Sequence, residues 1–181
     1  MRKLLAGIAL GVIVLADGLI GCDSLPSIAD KVLPAKETSS EASASKAVSS
    51  GAFAALEQSI HQQINQYRQS RNLAPLTLDP RISERARIHS QNMASGRVPF
   101  SHQGFEQRVR AIGRAIPYRQ AAENVAYNKG YPDPGRQAVQ GWIKSTGHRI
   151  NIESQYNLTG IGIVKNAKGE YYFTQIFIRS W

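Results

Sequence analysis

The chain has 181 residues, a net charge of +9 from 22 Lys and Arg against 13 Asp and Glu, and a single cysteine. This length predicts one domain with accessory segments, and one cysteine excludes an intrachain disulfide framework. Residues 51–181 hold 17 of the basic and eight of the acidic side chains, so they carry the whole positive excess. That excess favours anionic lipid headgroups or acidic wall polymers as counter-surfaces, with a merely solvated basic face as the alternative.

The N-terminus predicts export and a membrane anchor. After a basic start, residues 4–20 are mostly apolar, and they are followed by Gly21 and Cys22. This ending resembles the bacterial lipobox, which implies that residues 1–21 are a signal peptide and that Cys22 carries the lipid, such as palmitate. An uncleaved transmembrane anchor is the alternative, and Asp17 weakens insertion of the apolar run. Both interpretations predict a domain in the periplasm or at the extracellular face, where nucleic acid is not an expected partner.

Composition divides the chain into three segments, of which the first is the predicted signal peptide, residues 1–21. Residues 22–50 are rich in Ser, Ala, Lys and Glu and lack aromatic residues, which predicts a disordered tether. Residues 51–181 are long enough for one compact core. Their first predicted helix spans residues 52–71, and His61 lies off its apolar stripe, which indicates a surface position.

Three more helices are predicted in the domain. The second opens at Asp79-Pro80, as N-cap and first-turn proline, and ends near Ser95; His89 on its apolar side is predicted to be a hydrogen-bonded packing residue. The third spans residues 104–113, with a basic patch of Arg108, Arg110 and Arg114 on its outer side. The fourth opens at Asp133-Pro134 and ends with Gly147 as its C-terminal cap.

The C-terminal part is predicted to be β-structure. Residues 159–164 and 170–178 form two strands joined by a turn at 166–169, and apolar residues on both faces indicate a sheet covered on both sides. Gly160 and Gly162 predict close approach of another backbone or a ligand. The expected fold class is α+β, a three-layer α-β-α sandwich with about four helices and a small, largely antiparallel sheet.

Three chemically competent side chains lie in segments predicted to be irregular: His102, Glu123 and His148. Loop side chains at element ends can point into a cleft. If these three converge, they form a polar site suited to a divalent metal or to acid–base chemistry.

Taken in order, these pieces resemble the bacterial branch of the CAP superfamily, also called the SCP or PR-1-like domain. The matching stretches are residues 61–68 with Leu76, 101–102, 122–126, 141–152, 160–162 and 172–175. The resemblance implies an α-β-α sandwich whose cleft holds two His and two Glu, a set that binds divalent metal in some members.

The resemblance assigns His102 and His148 to the two histidines and Glu123 to the first glutamate. The second glutamate is missing, because residues 143–145 read Ile-Lys-Ser. The remaining three side chains still offer Zn²⁺ three ligands and an open position. Asn124 and Arg149, which adjoin Glu123 and His148 in the matched stretches, complete the expected ligand-binding set.

Two functions follow. The first is a non-enzymatic module that binds a lipid, a cell-wall fragment or a surface protein through this cleft. The second is a hydrolase in which His102, Glu123 and His148 activate water, directly or on a metal. No Gly-x-Ser-x-Gly nucleophile elbow and no second cysteine support a covalent mechanism, so an enzyme is the less favoured interpretation.

Overall fold

The computed structural model describes residues 39–181, with side chains from residue 53 onward. The predictions for the signal peptide, for Cys22 and for residues 22–38 of the tether lie outside the described residues. No helix in the described part of the chain is both long and apolar enough to cross a membrane.

Five helices and four strands make up the described region. The helices are α1 (Ser39–Ser70), α2 (Pro80–Ala94), α3 (Phe105–Gly113), α4 (Pro134–Lys144) and α5 (Thr146–Glu153). The strands are β1 (Thr77–Leu78), β2 (Tyr118–Lys129), β3 (Leu158–Lys165) and β4 (Glu170–Ser180). Together they form an α+β fold.

One four-stranded sheet in the order β1-β3-β4-β2 runs through the domain. The short β1–β3 pairing is parallel, and β3–β4 and β2–β4 are antiparallel, so the predicted, largely antiparallel sheet is confirmed. Alternate residues of β4 point to opposite faces. Phe173 and Phe177 join a core with α1, α4 and α5, whereas Ile176 and Ile178 join a second core with α2 and α3. The sheet therefore has helices on both sides, as the sequence predicted.

Two aspartates start helices as expected. Asp79 accepts a hydrogen bond from the Arg81 backbone N–H (2.8 Å) ahead of Pro80, and Asp133 accepts one from the Arg136 N–H (2.9 Å) ahead of Pro134. Each carboxylate satisfies one of the N–H groups that a helix start leaves without a partner.

The two strand glycines are required by α2. A Cβ at Gly160 would lie 2.3 Å from the Ile82 carbonyl carbon, and one at Gly162 would lie 2.0 Å from the Arg87 backbone nitrogen. The helix therefore rests directly on β3, and the predicted close approach of another backbone is confirmed.

Arg68, near the end of α1, is a buried cation that joins distant parts of the chain. Its guanidinium donates hydrogen bonds to the carbonyl oxygens of Ala74 (2.8 Å), Ile152, Ser154 (2.9 Å) and Tyr156 (3.3 Å). It thus fixes the C-terminal end of α5 to α1.

Three sequence-based expectations about elements need correction. Helix α1 begins at Ser39 rather than near residue 52, so residues 39–50 of the predicted tether are helical. Glu123 lies within strand β2 rather than in an irregular segment, because β4 pairs with it along its whole length. Gly147 does not cap α4; Ser145 ends that helix and begins α5, which is why there are five helices rather than four.

His61 is also placed differently. Its Nε2 lies 2.8 Å from the Leu76 carbonyl oxygen, and Asn65 Oδ1 accepts a bond from the Leu76 N–H (2.8 Å). The loop after α1 folds back over this helix face, so His61 is partly buried and not a surface residue.

Candidate functional site

Glu123 is the centre of the site. It lies in the middle of β2 opposite Ile176, and its side chain faces α2 and α3 with only 2% of its surface exposed. A carboxylate at this depth requires charged or hydrogen-bonding partners. His102 Nδ1–H donates to its Oε1 (3.0 Å), and Arg108 donates to both of its oxygens.

Arg108 is a site residue that the sequence interpretation missed. Its Nε donates to Glu123 Oε2 (2.9 Å) and its NH2 group to Oε1 (2.7 Å), a bidentate pair, and its side chain is 11% exposed. It was predicted on the outer side of α3. However, it lies three residues after Phe105 and four before Ile112, so helical spacing places it near their buried face. Arg110 does lie outside, paired with Glu106 at 3.0 Å.

His102 is the exposed edge of the cluster. Its side chain is 37% exposed, and because Nδ1 is used by Glu123, its Nε2 is the nitrogen left for a ligand. Arg108 also donates to the backbone carbonyls of Gln103 (2.8 Å) and His102 (3.4 Å). The loop that carries His102 is therefore held by the same guanidinium that holds Glu123.

His89 closes the cluster from behind. It is buried on α2, its Nε2–H donates to the Ser101 carbonyl (2.8 Å), and the same nitrogen lies 4.0 Å from Glu123 Oε1. Burial lowers the pKa of His89, which favours the neutral ring. The prediction of a hydrogen-bonded packing histidine is confirmed, and the residue also supports the site.

His148 lies in the first turn of α5, with Nδ1 2.9 Å from Ser145 Oγ. Burial lowers its pKa, and the charge of nearby His102 lowers it further, so the two imidazoles are close enough to interact. Its backbone carbonyl accepts a hydrogen bond from the buried Asn124 (3.1 Å), whose Oδ1 accepts one from Asn151 (2.8 Å).

Asn124 and Arg149 therefore serve the framework of the site. Asn124 follows Glu123 on a strand, so their side chains point to opposite faces of the sheet. Arg149 donates to the Ile143 carbonyl (3.1 Å) near the end of α4. Both residues fix the start of α5, which carries His148, and the structure does not bring them to the Glu123 carboxylate.

The expected three-ligand metal set does not fit this geometry. Both oxygens of Glu123 already accept hydrogen bonds from a guanidinium, which would have to leave before a metal could bind there. Ser145, in the stretch where the second glutamate is missing, is bonded to His148. Within residues 39–181, no three His, Cys, Asp or Glu side chains are grouped to hold a metal ion.

Comparison with known proteins gives consistent results. Residues 61–177 match the model of the cysteine-rich secretory protein family, CAP. Two Bacillus subtilis proteins are similar: the uncharacterized membrane protein YlbC, 36% identical over 121 residues (65% of this chain, 32% of YlbC), and the uncharacterized protein YkwD, 33% identical over 150 residues (80% of this chain, 53% of YkwD). The chain thus spans between a third and about half of the length of these relatives.

A solved structure shares the fold as well. An extracellular protein containing an SCP domain from Bacillus anthracis superposes with a TM-score of 0.60 at 29% identity, covering 71% of this chain and 41% of that one.

Proposed function

The chain belongs to the CAP family of cysteine-rich secretory proteins, and from this membership and the site geometry we propose that its domain is a ligand-binding module acting outside the cytoplasm. The ligand is a lipid, a cell-wall fragment or a surface protein that contacts the cleft edge at His102 and His148. One observation carries the proposal. Glu123, the one carboxylate that the described residues bring to the site, is held on both oxygens by Arg108.

That pairing favours binding over reaction. Arg108 and His102 donate to the oxygens of Glu123, and its side chain is only 2% exposed, so the carboxylate is not placed to take a proton from water or substrate. The same contacts fix the positions of His102 and of the loop around it. A rigid, preorganised edge of this kind lowers the entropy cost of binding.

A hydrolase remains the second candidate because of the His102–Glu123 hydrogen bond. A carboxylate that accepts from imidazole Nδ1–H fixes the tautomer in which Nε2 can take a proton. Among the described residues, no hydroxyl is hydrogen-bonded to His102, so this mechanism would act on a water molecule directly. It involves no metal step.

For the tether, we propose lipidation at Cys22. The lipobox resemblance supports it, and YlbC, a relative, is named as a membrane protein. Cells grown with radiolabelled palmitate should label the wild-type chain and leave a Cys22→Ala chain unlabelled. Equal labelling of both chains would exclude this anchor.

The binding role is tested with the full, detergent-solubilised chain, isolated bacterial wall sacculi and vesicles of phosphatidylglycerol. We expect retention on one of these surfaces without any released product, and weaker retention for His102→Ala. Arg110→Ala is the matched control, because Arg110 lies on the outer side of α3 and should matter only if the basic face binds. Product release that is lost in Glu123→Gln would instead establish the hydrolase.

A further inference from the structure

Three neighbouring aromatic rings form a surface beside the exposed edge of His102. The Phe100 and Tyr127 ring centroids are 6.3 Å apart, and those of Tyr127 and Tyr172 are 5.2 Å apart. Phe100 is 40% exposed and Tyr127 45%, while Tyr172 is partly buried. We call these three residues the aromatic strip. The planes of neighbouring rings are tilted by 58° and 56°, so the strip is angled rather than flat.

The strip lies at the end of the sheet that α2 leaves uncovered. Tyr127 pairs with Tyr172 two residues beyond the Val125–Thr174 pair, on the same face of the sheet. Helix α2 reaches Thr174 through Ser90, whose hydroxyl is 2.8 Å from the Thr174 hydroxyl, and the helix ends at Ala94. Contiguous exposed aromatic rings on a soluble domain commonly mark a binding surface.

The strip is continuous with the Glu123 cluster. Phe100 precedes His102 by two residues in the same loop. Tyr127 follows Glu123 by four residues on the same face of β2, a distance of about 13 Å along a strand. A ligand that touches His102 can therefore extend over the rings.

The chemistry of this surface indicates an uncharged, hydroxyl-rich ligand. Aromatic faces pack against the C–H faces of sugar rings, and the phenol groups remain at the polar rim. The carboxylate at this end, Glu170, accepts a hydrogen bond from the Tyr127 hydroxyl at 3.2 Å. At the other end, His102 uses Nδ1 for Glu123 and leaves Nε2 to form a hydrogen bond with a ligand hydroxyl.

We infer that the aromatic strip and the edge of His102 form a carbohydrate-binding site, which takes consecutive pyranose rings of a glycan strand. The inference rests on the binding role proposed above and specifies its ligand as the sugar part of a wall fragment. The cations nearest the strip lie beside carboxylates, which favours an uncharged ligand over an anionic polymer. Arg108 is paired with Glu123, and Lys129 and Lys168 lie near Glu170.

The test uses the full, detergent-solubilised chain with a soluble hexamer of N-acetylglucosamine, measured by calorimetry, and with wall sacculi, measured by sedimentation. Binding of the hexamer should weaken about tenfold in Tyr127→Ala, as expected for loss of one ring contact. Tyr127→Phe keeps the ring and should bind nearly as well. Tyr131→Ala is the matched control, since Tyr131 is equally exposed, at 48%, and has no ring contact with the strip.

Phe100→Ala gives a second measurement in case Tyr127→Ala weakens β2, and it should also reduce hexamer binding. If the chain binds sacculi but neither ring variant changes that binding, the glycan site is wrong and the binding role stands. Retention only on phosphatidylglycerol vesicles would likewise overturn the glycan site and leave the binding role in place. A chain that binds none of these probes overturns this inference and leaves a surface protein as the ligand of the proposed function. A chain that cleaves the sacculi overturns the proposed binding role and this inference with it.

Discussion

Arg108 on α3 and Glu123 on β2 form a bidentate ion pair, 2.7 and 2.9 Å between the bonded atoms, at the junction of the helix layer and the sheet. The pair joins α3 to β2, and Arg108 also holds the backbone of the His102 loop. Its geometry therefore matters both to stability and to the exposed edge of the site.

Breaking this pair should be costly. Arg108→Ala leaves a buried carboxylate without its cation, and we expect the free energy of unfolding to fall by about 3 kcal/mol. Arg110→Ala, which removes an exposed pair on the same helix, should change it little. Urea denaturation of the two variants measures the difference, and equal losses would contradict the assignment of Arg108 to the buried pair.

Stability should decline on the acid side because of His89. Burial lowers the pKa of His89 below the ordinary value of 6.5. Above pH 6.5 the imidazole of His89 is therefore neutral in both the folded and the unfolded chain. As the pH falls below about 6.5, the unfolded chain takes up the proton first, and the free energy of unfolding decreases until the folded pKa is passed.

The variant His89→Gln should show a flatter decline between pH 7 and pH 5 in denaturant titrations. Part of the dependence of the free energy of unfolding on pH remains in this variant, because burial also lowers the pKa of His148. The charged and titratable groups that act on His89 are Glu123, Arg108 and His102, and they stay in place in the variant. Identical slopes for the two proteins would show that His89 does not titrate as inferred.

Replacing glycine by alanine should have opposite effects on stability at two positions, because one lies at the contact between α2 and β3 and the other has free space around it. Gly162→Ala forces a Cβ into the backbone of Arg87 and should cost about 2–3 kcal/mol. Gly141→Ala, in α4, meets no atom within 4 Å and should stabilise the domain by about 0.5–1 kcal/mol through helix propensity. Midpoints of thermal unfolding report both changes, and a harmless Gly162→Ala would refute the backbone contact.

Zinc titrations can check the ligand roles. Because Arg108 occupies Glu123, we expect Glu123→Gln to reduce any zinc uptake less than His102→Ala and His148→Ala do. Calorimetry with ZnCl₂ on the wild type and these variants makes the comparison. An equal loss in Glu123→Gln would restore the three-ligand set that the sequence suggested.

Local rules predicted much of the fold. Asp79-Pro80 and Asp133-Pro134 start helices by capping chemistry that acts within three residues, and Gly160 and Gly162 indicated a close approach. Strand β2 was missed because Ala121 to Asn128 contains small and amide residues with weak strand preference. Its conformation is imposed by pairing with β4, about fifty residues away.

The site was predicted only in part for a similar reason. The sequence drew attention to His102, Glu123 and His148, and the structure places His102 on Glu123 and His148 near His102. Arg108 was assigned to solvent by its charge alone, although its spacing from Phe105 and Ile112 matched the buried stripe. Whether a charged residue at such a position turns inward depends on a buried partner, and Glu123 is on another element.

The buried guanidinium of Arg68 also has a consequence for where the protein can fold. The described residues contain no cysteine, so their long-range links are noncovalent, and they include the carbonyl contacts that Arg68 makes between α1 and the end of α5. Such links do not depend on an oxidant, a disulfide isomerase or the thiol potential of a compartment. The domain is therefore suited to reach the same native state in a reducing compartment and in an oxidising one.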